Sequence, residues 1–300
     1  MYEQIASNKR LSAFLSIAVI IILVILGFLI GEALIGPGSG RDGIIVAAFA
    51  GTVLGLISYF SGGSVLLAIS GAKEVEKKDH PVLFNVVEEM TIAAGVPMPR
   101  IFIIEDTATN AFATGRKPEK AAVTVTRGLL DKLNRDQLQG VIAHELSHIR
   151  NYDVLFATVI AIEVGLIALI CDFFLRYTFW GGGRRRRGGR GGSYGAIIFL
   201  IALILAILAP LFSKILQLAI SRKREFLADA SAAELTRYPE GLASALEVIS
   251  KDEEKLEAAN RATQHLYIVN PIKGLGKSGK NLFSTHPPVE ERIKRLREMR

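Results

Sequence analysis

Two long uncharged apolar runs near the start of the chain limit its fold more than any other feature. Residues 11–30 (LSAFLSIAVIIILVILGFLI) form twenty residues without a charge, and residues 43–71 add twenty-nine more. Each is long enough to cross a hydrocarbon core of about 30 Å as a helix. A third run, 154–170, is interrupted only by Glu163; a fourth extends over 195–212 and past Lys214 to Ile220, with Pro210 as a kink. The expected class is therefore a mainly α integral membrane protein with four transmembrane helices, the first two being the firm ones. The first run exceeds the 7–15-residue apolar core of a secretory signal and lacks a small-residue cleavage site, so it reads as an uncleaved anchor. The single cysteine, Cys171, excludes an intrachain disulfide and any cysteine-rich metal centre.

These runs divide the chain into an anchor (1–35), a second span (43–71), a first soluble lobe (72–151), a third span (152–176), an arginine/glycine loop (177–194), a fourth span (195–220) and a final lobe (221–300). The first lobe is expected to open with a charged helix over 73–95, ended by Gly95 and Pro97. Short strands over 101–104, 111–114 and 121–126 follow, and the lobe closes on a helix running almost unbroken into the third span. Lys9 and Arg10 precede the first span, Lys73, Lys77 and Lys78 follow the second, and Arg222, Lys223 and Arg224 follow the fourth. Basic residues at these positions place both lobes in the cytoplasm, with Arg184 to Arg187 and Arg190 as the dissenting signal. The net charge of +7 comes mostly from that arginine loop, since residues 71–151 hold eleven basic and eleven acidic side chains. Between two apolar helices such a loop meets anionic lipid headgroups or is a solvated turn; no nucleic-acid partner is expected.

The chemistry lies in His144-Glu145-Leu146-Ser147-His148, an H-E-x-x-H motif. Residues four apart share a helix face, so both imidazoles can grip one metal ion while Glu145 leans over its open side. The context is helical: Asn134-Arg135-Asp136-Gln137 reads as an N-cap with its capping-box partner, and Leu138, Val141, Ile142, Leu146 and Ile149 fall on helical spacing. A catalytic zinc wants three protein ligands and one position left for water. Val154 stands where a metzincin would carry its third histidine, so that class is excluded. Glu225 is the candidate, with Asp229 one helical turn further on: one carboxylate can bind metal while the other accepts the N–H of a ligand histidine, the place expected for Asp229. Out along the third span and back along the fourth, the chain returns Glu225 to the level of His148. The bland alternative is a solvated acidic face. Asn110, Ala111, Phe112 and Ala113 are expected to form an edge strand that holds an extended substrate, with Asn110 offering its amide; a plain structural hairpin is the alternative. His286 and Arg222 are the candidate donors to a developing oxyanion. His80 and His265 read as structural.

Four motifs then carry a resemblance: Thr109-Asn110-Ala111-Phe112-Ala113-Thr114-Gly115; HELSH with Asn151-Tyr152-Asp153; SRKREFLADA; and Ser284-Thr285-His286-Pro287-Pro288-Val289-Glu290-Glu291-Arg292. The chain resembles the HtpX-type membrane zinc endopeptidases, relatives of the CAAX prenyl proteases, over nearly its whole length; only the arginine/glycine loop has no counterpart. The resemblance implies a cytoplasmic α+β zincin-like (gluzincin) domain with a small sheet. It also implies one zinc ion held by His144, His148 and Glu225, with Glu145 as the catalytic base. An inner-membrane location and a stress-related role in membrane-protein quality control follow from it, with protein substrates, lipid, and homo-oligomers or quality-control proteins as partners. A CAAX-type prenyl-protein endopeptidase and a non-proteolytic zinc-binding scaffold are the competing readings. The intact Glu145 speaks against the scaffold. A transporter would need paired ionisable residues in several spans, where only Glu163 stands out.

Overall fold

The structure, a computed structural model, describes residues 2–159, 161–162, 200, 204, 222–254, 256, 266–269 and 287–299. Most of the third and fourth spans, the arginine/glycine loop, Glu163, Cys171, His265 and His286 lie outside the described residues.

Helices α1 (Tyr2–Ile30) and α2 (Gly40–Ile69) form an antiparallel hairpin. Their backbones touch where Gly27 meets Gly43, since a Cβ on either glycine would overlap the carbonyl oxygen of the other. Small residues permit such close approach between apolar helices. Within these helices, Ala6–Ile30 and Gly40–Ile69 are long and apolar enough to cross a membrane. Many of their large side chains face outward, Phe14 being 70% and Phe49 73% exposed. Helices of this length buried in the core of a soluble protein would not show that face.

A four-stranded mixed sheet follows, with β1 (Lys73–Glu74), β2 (Arg100–Ile104), β3 (Ala111–Gly115) and β4 (Ala121–Thr126) in the order β1-β2-β4-β3. β2 and β4 run parallel with Ile101 opposite Val123; the outer pairs are antiparallel. The charged helix expected over 73–95 begins only at Pro81. Lys73 and Glu74 pair with β2 instead, and α3 spans Pro81–Ala94. The residue before a proline is driven out of helical conformation, and a proline at the first helical position cannot miss a hydrogen bond.

One face of the sheet packs with Leu83, Val86 and Val87 of α3 and with Val141, Ile142, Leu146 and Ile149 of α5 (Arg135–Arg150) in a single core. A short α4 (Arg127–Lys132) leads into α5, whose first turn carries the expected capping box: Asn134 accepts from the Gln137 N–H, and the Gln137 side chain accepts from the Asn134 N–H. The last described helices are α6 (Arg222–Thr236), α7 (Pro239–Lys251) and α8 (Val289–Arg297). α5 and α7 cross at Gly140, where a Cβ would sit 2.6 Å from the Leu242 nitrogen. α5 thus runs through the middle of the lobe, flanked by α3, α6, α7 and β3.

α5 does not continue smoothly toward the third span. Asn151 and Tyr152 form a turn, with Tyr152 at φ 60°, and helix resumes over 153–159. At the other end of the lobe, β3 reaches two helices: the Gly115 N–H donates to Thr158 Oγ1 on the helix 153–159, and the Arg116 guanidinium lies 4.8 Å from the centre of the Phe60 ring on α2.

Candidate active site

α5 presents His144 and His148 one turn apart, and their Nε2 atoms face each other across 3.2 Å. α6 brings Glu225 against them, with Oε2 3.8 Å from His144 Nε2 and Oε1 3.5 Å from His148 Nε2. One donor atom from each of the three residues falls within 4.8 Å of the others. Two imidazole nitrogens and a carboxylate oxygen at this separation suit a zinc-sized ion with a further position left for water.

Each imidazole is oriented by a carboxylate on its far side. Asp229, one turn along α6 from Glu225, places Oδ1 3.0 Å from His144 Nδ1. Asp153, just past the Tyr152 turn, places Oδ2 3.0 Å from His148 Nδ1. Both rings therefore donate through Nδ1 and aim Nε2 at the common point. Burial holds the His144 imidazole below its usual range, opposed by the bond to Asp229. Burial would also lower His148, but the hydrogen bond to Asp153 and the charges of Glu225, Asp153 and Glu145 overcome it, raising the ring to about 9. The field at His148 thus favours a cation, whether proton or metal.

Glu145 is buried, and burial pushes its carboxyl up to about 7, aided by the Glu225 charge and opposed by His148, Arg292 and the Ala113 backbone. A carboxylate poised near neutrality is suited to taking up and returning a proton.

Arg292, which has no assigned role in the sequence reading, lies at the centre of the site. Its buried guanidinium donates Nε to Asp229 Oδ2 at 2.9 Å and Nη2 to Asp229 Oδ1 at 2.7 Å. Nη1 donates to the Ile268 carbonyl at 3.0 Å and lies 3.6 Å from Glu225 Oε2. Burial works against its charge, but Asp229, Glu225 and Glu145 more than compensate and raise it above the ordinary arginine value. A clue was present in the sequence: Glu145, Glu225 and Asp229 gathered around two imidazoles require a buried counter-charge, and arginine is the residue that pairs carboxylates bidentately.

Arg222, expected near the reaction centre, opens α6 as an exposed side chain. The structure does not bring it into this cluster. From the same helix, Arg224 instead lies 3.7 Å from Asp153. His80 stands beside Arg127, outside the site.

β3 is an edge strand, but most of its outer side is engaged. Asn110 does not hold its amide ready for a substrate: Nδ2 donates to the Val269 carbonyl and Oδ1 accepts from the Ala111 N–H. The Ala111 carbonyl accepts from Ile268, while the Phe112 ring is buried edge-on against Tyr267. In the β3–β4 register Thr126 bonds to the Asn110 carbonyl, so Ala111, Ala113 and Gly115 turn their backbone groups outward. With Ala111 O and Gly115 N engaged, Ala113 is the outward residue facing Glu145.

A helix-borne H-E-x-x-H, a carboxylate from a second helix and a membrane-length hairpin define a membrane metallopeptidase. The chain belongs to Peptidase family M48, whose model matches residues 77–300. It is 46% identical to a Protease HtpX homolog of Listeria monocytogenes serotype 4a, over the full length of both chains. A Protease HtpX homolog of Dictyoglomus thermophilum is 48% identical, over 99% of this chain and 94% of the relative. The crystal structure of S. mikatae Ste24p shares the fold at a TM-score of 0.51 and 20% identity, covering 99% of this chain and 67% of that one.

Proposed function

We propose that the chain is a zinc endopeptidase of the membrane in which His144, His148 and Glu225 hold the metal and Glu145 moves the proton. The convergence of those three donors within 4.8 Å of one another, with Glu145 beside them, carries this reading. Zinc, when bound, polarises a carbonyl and brings the pKa of water down to roughly 7. Glu145 accepts the proton of the attacking water and delivers it to the leaving amine. Asp229 and Asp153 hold the two imidazoles in the tautomer that leaves Nε2 for the metal.

The substrate, a protein or peptide, adds to β3 as a further strand through the outward backbone of Ala113. Asn110, Ala111 and Phe112 fix that edge from within. His286 is the proposed oxyanion donor: Pro287 beside it is buried, and Arg292 six residues on reaches Asp229. The exposure of Arg222 gives no support to a similar role. We place the lobes 72–151 and 221–300 in the cytoplasm, with 152–176 and 195–220 as a second membrane hairpin and the arginine/glycine loop at the lipid headgroups. The basic residues flanking the spans support that topology. The names of the HtpX relatives support proteolysis, and the membrane setting favours clearance of membrane or misfolded proteins as its purpose.

Zinc content of the purified chain and of Glu225→Ala, with casein cleavage in the presence and absence of a chelator, tests the reading. Chelator-resistant cleavage, or full zinc in Glu225→Ala, would overturn it.

A further inference from the structure

The first helix reaches further than an anchor needs to. Asn8, on α1, is buried to 3% exposure although its side chain is polar. Its Nδ2 donates both hydrogens, one to the Asn151 carbonyl at 3.0 Å and one to Asp153 Oδ1 at 2.8 Å. The neighbouring Lys9 places its ammonium 4.4 Å from the centre of the Tyr152 ring. Residues 8 and 9 together therefore grip all three residues of the turn 151–153, whose middle member stands at φ 60°. The other oxygen of Asp153, Oδ2, is the one that meets His148 Nδ1 at 3.0 Å.

We propose that Asn8 is a positioning residue for the metal site, acting through Asp153 to fix the imidazole of His148. The inference rests on His148 being a metal ligand. Nδ2 anchors one oxygen of Asp153, which fixes the carboxylate plane and aims the other oxygen at the ring. Without that donor Asp153 can rotate, and Arg224, 3.7 Å from Oδ1, competes for it. The metal-binding geometry of α5 thus depends on the docking of a helix that begins at the other end of the chain. A peptidase assembled this way holds its metal tightly only once its first membrane helix is in place.

Zinc affinity, measured by competition with a chromophoric chelator, tests this on the detergent-solubilised full chain. Glu145→Gln serves as the parent so that self-cleavage does not intervene. Asn8→Ala should weaken zinc binding about tenfold, as outer partners of ligand histidines do, while the zinc-free protein still folds and unfolds cooperatively. Asn8→Asp keeps the volume of asparagine but sets a carboxylate against Asp153, so it should bind zinc no better than Asn8→Ala. A purely packing role predicts the opposite order. In an Asp153→Asn background, Asn8→Ala should shift affinity less than twofold, because the route through Asp153 is already cut.

Affinity within twofold of the parent in both Asn8 variants overturns the proposal. So does an undiminished effect in the Asp153→Asn background, or a zinc loss that only tracks unfolding in both Asn8 variants. Should the parent hold no zinc, or His148→Ala hold as much as the parent, the metal-site reading itself fails, an outcome distinct from the others.

Discussion

Arg292 grips Asp229 through two hydrogen bonds of 2.9 and 2.7 Å, both side chains being buried. The same carboxylate lies 3.0 Å from His144 Nδ1, so the guanidinium controls the imidazole without needing to touch the metal. Burial alone would raise the Asp229 carboxyl; the Arg292 charge and the bonds from His144 and Arg292 hold it down at about 2. An ionised Asp229 keeps the His144 proton on Nδ1 and leaves Nε2 open.

Replacing Arg292 with Met should therefore be severe, since it leaves Asp229 as a buried charge without its fork. Breaking one side of a buried pair costs about 3–5 kcal/mol. Arg292→Lys retains the charge but not the two-pronged geometry, and should recover only part of the loss. Denaturant unfolding and zinc titration of the two variants read both effects.

Glu145→Gln should keep its zinc and lose its activity. General acid–base catalysis contributes about 10²–10⁴-fold, so the cleavage rate should fall by at least the lower figure. Metal content and casein turnover measured on one preparation check this.

Gly140→Ala should destabilise the lobe by about 1–3 kcal/mol, the usual cost of overpacking. The added methyl meets the backbone of α7 at Leu242, not the movable end of a side chain. A lowered unfolding midpoint with the metal still bound is the expected signature.

Asp252, at the end of α7, ties that helix to the β2–β3 loop through the Thr109 N–H and hydroxyl and to α4 through Lys132. Burial pushes its carboxyl up, but the bonds from Thr109 and Lys132 prevail and hold it well below the usual aspartate range. A depressed carboxyl contributes fully above its unfolded pKa of about 3.9, and the contribution disappears on acidification below that value. Asp252→Asn should therefore flatten the loss of thermal stability between about pH 4 and pH 2 relative to the parent.

Local patterns in the sequence were readable because their causes are local. The capping box at Asn134 and Gln137 needs only neighbours, the bounds of β4 follow a short β-rich run, and H-E-x-x-H gains its meaning from helical spacing. The charged stretch before Pro81 was harder, since its pairing with β2 leaves no periodic mark in so few residues. Arg292 and Asn8 were beyond reach for another reason. Their partners stand 63 and 145 positions away, and no spacing rule connects them. Asn110 shows the same limit: an amide beside an edge strand suggests a substrate, and only the arrival of Val269 reveals its actual acceptor.

Where Gly27 and Gly43 meet, main chain lies against main chain with no side chain as a cushion. Such a crossing resists gradual sliding, because packed surfaces shift between discrete arrangements instead of deforming smoothly. The paired helices should act as one stiff strut, so that a bulky replacement at either glycine would be transmitted along the strut to its far end and loosen a catalytic centre it never touches.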